Sequence, residues 1–321
     1  MDINAKLAEL ESMVKNEMKP QRDTVKDSYG LVLAGGGGKG AYQIGAFRAL
    51  RERGFIDKIC GISGCSVGSL NLTLFAMKDL KSAIDVWSHI SNRQFMSIDY
   101  ELIDFKEGIF SREGLIQIID DYVNFDDITY SNIPLYVNAT RVYKNEQKEA
   151  VYFKLNDKNK EEITTLLLAS SALPIAYENV TYNDMVLKDG GITDNTPIKP
   201  LYDEGIRDFI VIDLDENAKE YKTKFTDANF IHIKPSFGIG KLIDGTLDFS
   251  MSGAKYRMEV GYMDTVRILD KMFEGKYTTT EAFNICSKAD YDNAYFNNCS
   301  PNRYRGIERN MDKLLEIYNN S

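Results

Sequence analysis

Ser66 stands at the centre of Gly64-Cys65-Ser66-Val67-Gly68, a G-x-S-x-G pentapeptide with a short apolar run before it and a helical pattern after it. That context is the one a nucleophile elbow requires. The serine occupies a sharp strand-to-helix turn with its hydroxyl exposed, and the flanking glycines relieve crowding. A second chemical element is Asp189-Gly190-Gly191, where an apolar run ends in a carboxylate. Strand ends are where catalytic groups gather in open sheets, although Asp-Gly-Gly is also an ordinary turn. The third is the run Gly35-Gly36-Gly37-Gly38-Lys39-Gly40. Its backbone amides, lying beside a helix N-terminus, make an anion site.

The glycine run alone admits two chemistries. Gly35, Gly37 and Gly40 satisfy G-x-G-x-x-G, and Asp57 follows at a spacing suited to a ribose contact, so NAD or FAD binding stays open. A Walker-type phosphate loop is excluded, because Gly40 and Ala41 follow Lys39 where Ser or Thr is needed. A Ser-Asp-His triad also fits the chain order Ser66, Asp189, His232. His232 falls in the alternating run Phe230–Lys234, which reads as a strand, whereas a triad histidine belongs on a loop. His89, on an amphipathic helix, reads as structural. Cys65 precedes the apex of the turn, and Ser63, Ser170 and Ser171 read as turn or helix-end residues.

The elements that must position these groups alternate strand and helix. Tyr29–Ala34, Lys58–Ile62, Leu135–Thr140, Ala150–Lys154, Met185–Lys188, Phe209–Asp213 and Phe230–Lys234 read as strands. Ala41–Arg53 reads as a helix capped by Gly54, with helices also over Val67–Met77, Leu80–Ile90, Ser111–Val123 and Ile163–Ala172. Thr196-Pro197 reads as an N-cap with proline at the first helical position. Beyond residue 236 the pattern is mainly helical. The expected fold is α/β, a mixed or mostly parallel sheet with helices on both faces. The expected division is an N-terminal helix and linker over 1–26, an α/β domain over 27–235, and a helical extension packed on it over 236–321.

Composition bounds the partners. The chain has 321 residues and a formal net charge of −9, which argues against nucleic acid as a partner. Cys60, Cys65, Cys286 and Cys299 form no C-x-x-C pair, so free thiols are expected and no metal site. No secretory signal and no apolar stretch long enough for a membrane span is visible, so a cytoplasmic or peripheral-membrane location is expected. The oligomeric state is not written in the sequence.

Taken in order, an anion loop, a serine elbow about 28 residues later and a strand-end Asp-Gly-Gly resemble the patatin-like phospholipase family. The flanks LAGGGGKGAYQIGAF (33–47), ASSALP (169–174) and DNTPI (194–198) are similar to family sequence, as is Gly261–Thr265. The resemblance covers about residues 28–270. It implies a three-layer patatin-like fold and a Ser66–Asp189 dyad without histidine or cofactor. It also implies an oxyanion hole from the amides of Gly36, Gly37 and Gly38, in a motif completed by Gly35, Lys39, Gly40, Gly64, Gly68, Gly190 and Gly191. The implied substrate is a lipid acyl ester met at a membrane or micelle surface. Asp189 as base would need partial desolvation, because an ordinary carboxylate is a weak base at neutral pH. The apolar stretch Asn92–Phe110 is a candidate lid or groove wall.

Overall fold

Strands with an apolar residue at nearly every position must be covered on both faces. The computed structural model describes residues 28–89, 112–172, 179–218, 221 and 223–273. The stretches 1–26 and 92–110 singled out above lie outside the described residues. In β1 (Tyr29–Leu33), Leu31 and Leu33 enter one core and Val32 the other. β7 (Asp208–Ile212) repeats this, with Ile210 and Ile212 on one face and Phe209 and Val211 on the other.

Among the described residues the sheet has eight strands. β1 lies between β2 (Ile59–Gly64) and β7, and β8 (Asn229–Ile233) closes that edge; all these pairs are parallel. On the other side β3 (Leu135–Val142) runs parallel to β2, then antiparallel to both β4 (Lys148–Lys154) and β6 (Met185–Asp189). The short β5 (Val180–Tyr182) pairs with β6. The larger core face is covered by α1 (Ala41–Glu52), α2 (Val67–Ala76), α3 (Leu80–His89), α4 (Arg112–Tyr122) and α6 (Lys160–Ser170), with the short α5 (Phe125–Thr129) beside them. The smaller face is covered by α7 (Lys199–Asp203) and the segment around Phe225.

The helix after Asp194 departs from the expectation. It begins at Lys199, with Ile198 as its N-cap, so Pro200 and not Pro197 lies in its first turn. Thr196 cannot cap a helix containing Pro200, which has no N–H to donate to the carbonyl four residues back; the Pro197 carbonyl instead accepts a 2.6 Å bond from the buried Ser63 hydroxyl. β5 was not anticipated, since three residues are too few to show a period.

From β8 the chain returns through a π-helical turn (Leu242–Thr246) to the long α8 (Met251–Phe273). Ala254, Arg257, Val260, Asp264, Thr265 and Ile268 form its buried face. α8 crosses α1 at backbone distance. A Cβ on Gly45 would come within 1.8 Å of the Met258 carbonyl oxygen, and one on Gly261 within 2.0 Å of Tyr42 O. The crossing is pinned by Asp264, which accepts from the Tyr42 hydroxyl at 3.0 Å and from the Ser236 amide at 3.0 Å. No described helix is long and apolar enough to cross a membrane.

Gly261→Val forces the two helices apart. Overpacking of this kind costs about 1–3 kcal/mol, so the melting temperature followed by circular dichroism is expected to fall by roughly 3–10 °C.

Candidate active site

Parallel strands deliver their following loops to one edge of a sheet, and three such loops meet here. Ser66 follows β2 and caps α2 with φ 52° and ψ −124°, a strained backbone for a non-glycine residue. The turn is locked on both sides. The Ser66 amide donates to Ser170 Oγ at 2.9 Å, and its carbonyl accepts from the Ser69 hydroxyl at 2.6 Å. A Cβ on Gly64 would sit 2.3 Å from Gly68 O, and one on Gly68 2.3 Å from Leu33 O. Neither glycine of the pentapeptide can therefore carry a side chain. Cys65 is fully buried, and that burial, reinforced by the Asp189 and Asp194 charges, pushes its thiol well up, so it stays protonated.

Asp189 ends β6 and is 3% exposed. Its backbone is fixed by an amide bond to Ala172 O at 3.0 Å and by the Thr140 hydroxyl on its carbonyl at 2.8 Å. Its side chain accepts the Gly191 amide on Oδ1 at 2.8 Å. Burial raises its carboxyl to about 6; the Ser66 hydroxyl and the Gly191 amide pull in the opposite direction by favouring the charge. Oδ2 closes no bond within ordinary hydrogen-bond geometry. The Ser66 contact is thus a loose one, of the sort that tightens when a substrate is bound. Gly190 and Gly191 are where the backbone slips past neighbours: a Cβ there would meet Asn138 Oδ1 at 2.5 Å and Asn195 Oδ1 at 2.8 Å.

The glycine run leaves β1 and forms a short 3₁₀ turn over Gly37–Gly40. Among the described residues, no acceptor takes the amides of Gly36, Gly37 or Gly38, the expected state of a helix start. Gly35 is clasped from both directions: its amide donates to Asn195 O at 3.1 Å, and Asn195 Nδ2 donates back to Gly35 O at 3.2 Å. The partner loop is itself held by Asn138 Nδ2 on Asp194 O at 2.6 Å and by the Tyr152 hydroxyl on Asp194 Oδ2 at 2.7 Å. Behind Gly37 and Gly38 lies the backbone of 246–248, close enough that a Cβ on either would approach a carbonyl oxygen to 2.2 Å or less.

Arg257 ties that backing together. It is 2% exposed, and all five of its N–H donors are taken. Nε reaches Ile239 O (3.0 Å), Nη1 reaches Asp248 O (2.9 Å) and Gly38 O (3.4 Å), and Nη2 reaches Asp244 O (2.6 Å) and Asp248 Oδ2 (2.7 Å). Sequence reasoning passed over this residue. An arginine on the apolar stripe of α8, four residues before the glycine of the helix crossing, was the available signal.

Two cavities open at Ser66. A polar cleft of about 480 Å³ is walled by Gly35–Gly37, Lys39, Asp189, Asn195 and Asp215. An apolar cavity of about 80 Å³ runs beside α2, past Val67, Leu70 and Leu74 to Ile118 and Tyr122. Ser66, Gly37 and Thr246 line both.

Two other groups lie elsewhere. His232 is buried inside β8, with Nε2 3.3 Å from Asp213 Oδ2, and lines neither cavity. The triad order does not bring it to Ser66, because β8 is the far edge of the sheet and Ser66 follows β2. Asp57 precedes β2 while the glycine run follows the parallel β1, so the two sit at opposite ends of their strands. It pairs with Lys78 at 2.8 Å on the surface. A ribose contact from Asp57 to a ligand on the glycine run is thereby excluded.

A sequence model of patatin-like phospholipases matches residues 31–202. The chain is 29% identical over 203 residues to lysophospholipase NTE1 of Cryptococcus neoformans, a match spanning 60% of this chain and 12% of that protein. It is 27% identical over 193 residues to an uncharacterized NTE family protein of Mycobacterium tuberculosis, spanning 59% of this chain and 49% of that one. The crystal structure of VipD from Legionella pneumophila aligns over 77% of this chain and 67% of its own at 16% identity and a TM-score of 0.44.

Two outcomes follow from this geometry. A carboxyl raised by burial favours folding when protonated, and that contribution is lost as pH rises through about 6. Asp189→Asn removes the charged form, so it is expected to raise the melting temperature at pH 7.5, where that form costs on the order of 3 kcal/mol, and to raise it by less at pH 5, where the folded carboxyl is protonated but the unfolded one, at its ordinary 3.8, is already ionised. Arg257→Lys loses the fork that spans four carbonyls and a carboxylate. It is expected to weaken binding of a trifluoromethyl ketone, whose adduct carries an oxyanion, roughly tenfold or more, with less effect on a neutral ether analogue.

Proposed function

This chain belongs to the patatin-like phospholipase family, and we propose from that premise that it is a lipid acyl hydrolase working through a Ser66–Asp189 dyad. The observation that carries the reading is the position of Ser66: a strained apex that faces a desolvated carboxylate and opens into both an apolar cavity and a polar cleft. The acyl chain of the substrate enters the apolar cavity, and the ester's alcohol portion occupies the cleft.

Ser66 Oγ attacks the ester carbonyl while Asp189 takes its proton. Charge develops on the carbonyl oxygen, where the open amides of Gly36, Gly37 and Gly38 receive it, a contribution of about 3–4 kcal/mol for each such donor. The intermediate collapses as the C–O bond to the alcohol breaks and the Asp189 proton passes to the leaving oxygen. Water then adds to the acyl-enzyme, giving its proton to Asp189. The second intermediate expels Ser66 Oγ, which regains that proton, and a fatty acid departs. A carboxylate near 6 suits this role, because at neutral pH it is ionised yet more basic than an exposed aspartate. Because the alcohol side opens to the cleft, the enzyme works on esters presented at a micelle or membrane surface.

Fatty-acid release from lysophospholipid micelles tests the reading. Ser66→Ala is expected to lose at least about 10³-fold in kcat, and Asp189→Asn about 10²–10⁴-fold. The wild-type rate is expected to fall as pH drops through about 6, where Asp189 takes up a proton. A fluorophosphonate is expected to label the Ser66 peptide; full activity in Ser66→Ala would overturn the proposal.

A further inference from the structure

The polar cleft carries two charges that the ester chemistry does not use. Lys39 is half-buried at the end of the glycine run, and its ammonium has neither a hydrogen bond nor an ion pair among the described residues. Asp215, two residues beyond Asp213 in the loop after β7, is exposed; its Oδ1 accepts the Asn217 amide at 2.9 Å. No bond is made to its other oxygen among the described residues. The two line the same cleft yet form no ion pair with each other. Opposite surface charges within reach would pair for a modest gain. Held apart, they present a positive and a negative point across one concave wall.

We propose that this wall selects the alcohol portion of the ester: a phospho-alkylammonium head group, with its phosphate on Lys39 and its ammonium on Asp215. The inference rests on the acyl-hydrolase reading, since the head group occupies the leaving-group side of Ser66. The remaining wall refines the chemistry. No aromatic side chain lines the cleft among the described residues. Quaternary ammonium groups are recognised by aromatic faces, through cation–π attraction. A primary ammonium instead wants hydrogen-bond acceptors, and the carboxylate of Asp215 supplies them. The favoured head group is therefore phosphoethanolamine over phosphocholine, and either over an uncharged alcohol such as glycerol.

The test is kcat/KM on four oleoyl esters at equal mole fraction in the same neutral detergent micelles: lysophosphatidylethanolamine, lysophosphatidylcholine, lysophosphatidylglycerol and monooleoylglycerol. The wild type is expected to prefer the ethanolamine ester over the phosphoglycerol ester by roughly two- to fivefold, the upper range of one solvated charge contact. Asp215→Asn is expected to bring that ratio to about one, and Asp215→Lys to reverse it. Lys39→Met is expected to lower all three phosphate-bearing esters relative to monooleoylglycerol. An ethanolamine preference that survives both Asp215 variants overturns the head-group assignment and leaves the Ser66 chemistry standing. Hydrolysis that persists in Ser66→Ala on all four esters overturns both readings.

Discussion

Two strand ends meet on one edge of β3, and the site depends on that meeting. β3 has only two edges for its three partners. Tyr136 and Val137 pair with both β2 and β4, while Ala139–Val142 pair with both β4 and β6, so β2 and β6 share the edge opposite β4. β2 runs parallel to β3 and leaves it at Val137; β6 runs antiparallel and leaves it at Ala139. The two C-termini point at each other across one residue, Asn138. Gly64 and Asp189 are the last paired residues, so the elbow and the carboxylate converge by register and not by loop flexibility. Asn138 fills the gap, its amide bonding Asp194 O and the Gly190 carbonyl. A one-residue slip of β6 along β3 would turn Asp189 to the other face.

Holding such a site has a cost that the rest of the molecule must offset. The left-handed Ser66 backbone costs about 1–3 kcal/mol, and a buried ionised carboxylate adds to it. Neither persists unless its surroundings over-determine it. Here the restraint comes from far along the chain: Ser170 from α6 holds the Ser66 amide, Asn195 clasps Gly35, and Arg257 from α8 braces the glycine run from behind. The close α1–α8 crossing supports that last contact, because Gly45 and Gly261 let the helix lie near enough for Arg257 to reach 239–248. Residues beyond the last strand thus shape the glycine loop.

What could be read from the sequence follows from what is local. The pentapeptide around Ser66, the glycine run and Asp189-Gly190-Gly191 each carry their geometry in a few adjacent residues, as do the apolar strands with their 2-residue period. β5 and the start of α7 were not legible. The first is too short to show a pattern; the second turns on Pro200, whose missing N–H bars Thr196 as the cap, and on the Pro197 carbonyl going to Ser63, more than a hundred positions away. Arg257 was invisible for the same reason, since its five partners are carbonyls and a carboxylate assembled only by the fold. The order of Ser66, Asp189 and His232 left a triad open, because chain order says nothing about which strand lies at the sheet edge; the strand-like run around His232 was the local sign against it.

The glycine run shows why placement decides chemistry when a motif cannot. Amides at the start of a helix after a strand bind negative charge in either reading, whether pyrophosphate or oxyanion. A dinucleotide site needs its acidic partner at the C-terminal end of the neighbouring strand. Asp57 stands at the opposite end of β2, and Ser66 occupies the position that partner would need. The same end of the sheet receives Asp189 from an antiparallel strand, something an all-parallel nucleotide fold could not arrange. What sets this arrangement apart from a nucleotide site is that β6 runs backwards, bringing a carboxylate to the edge where the Ser66 elbow already stands.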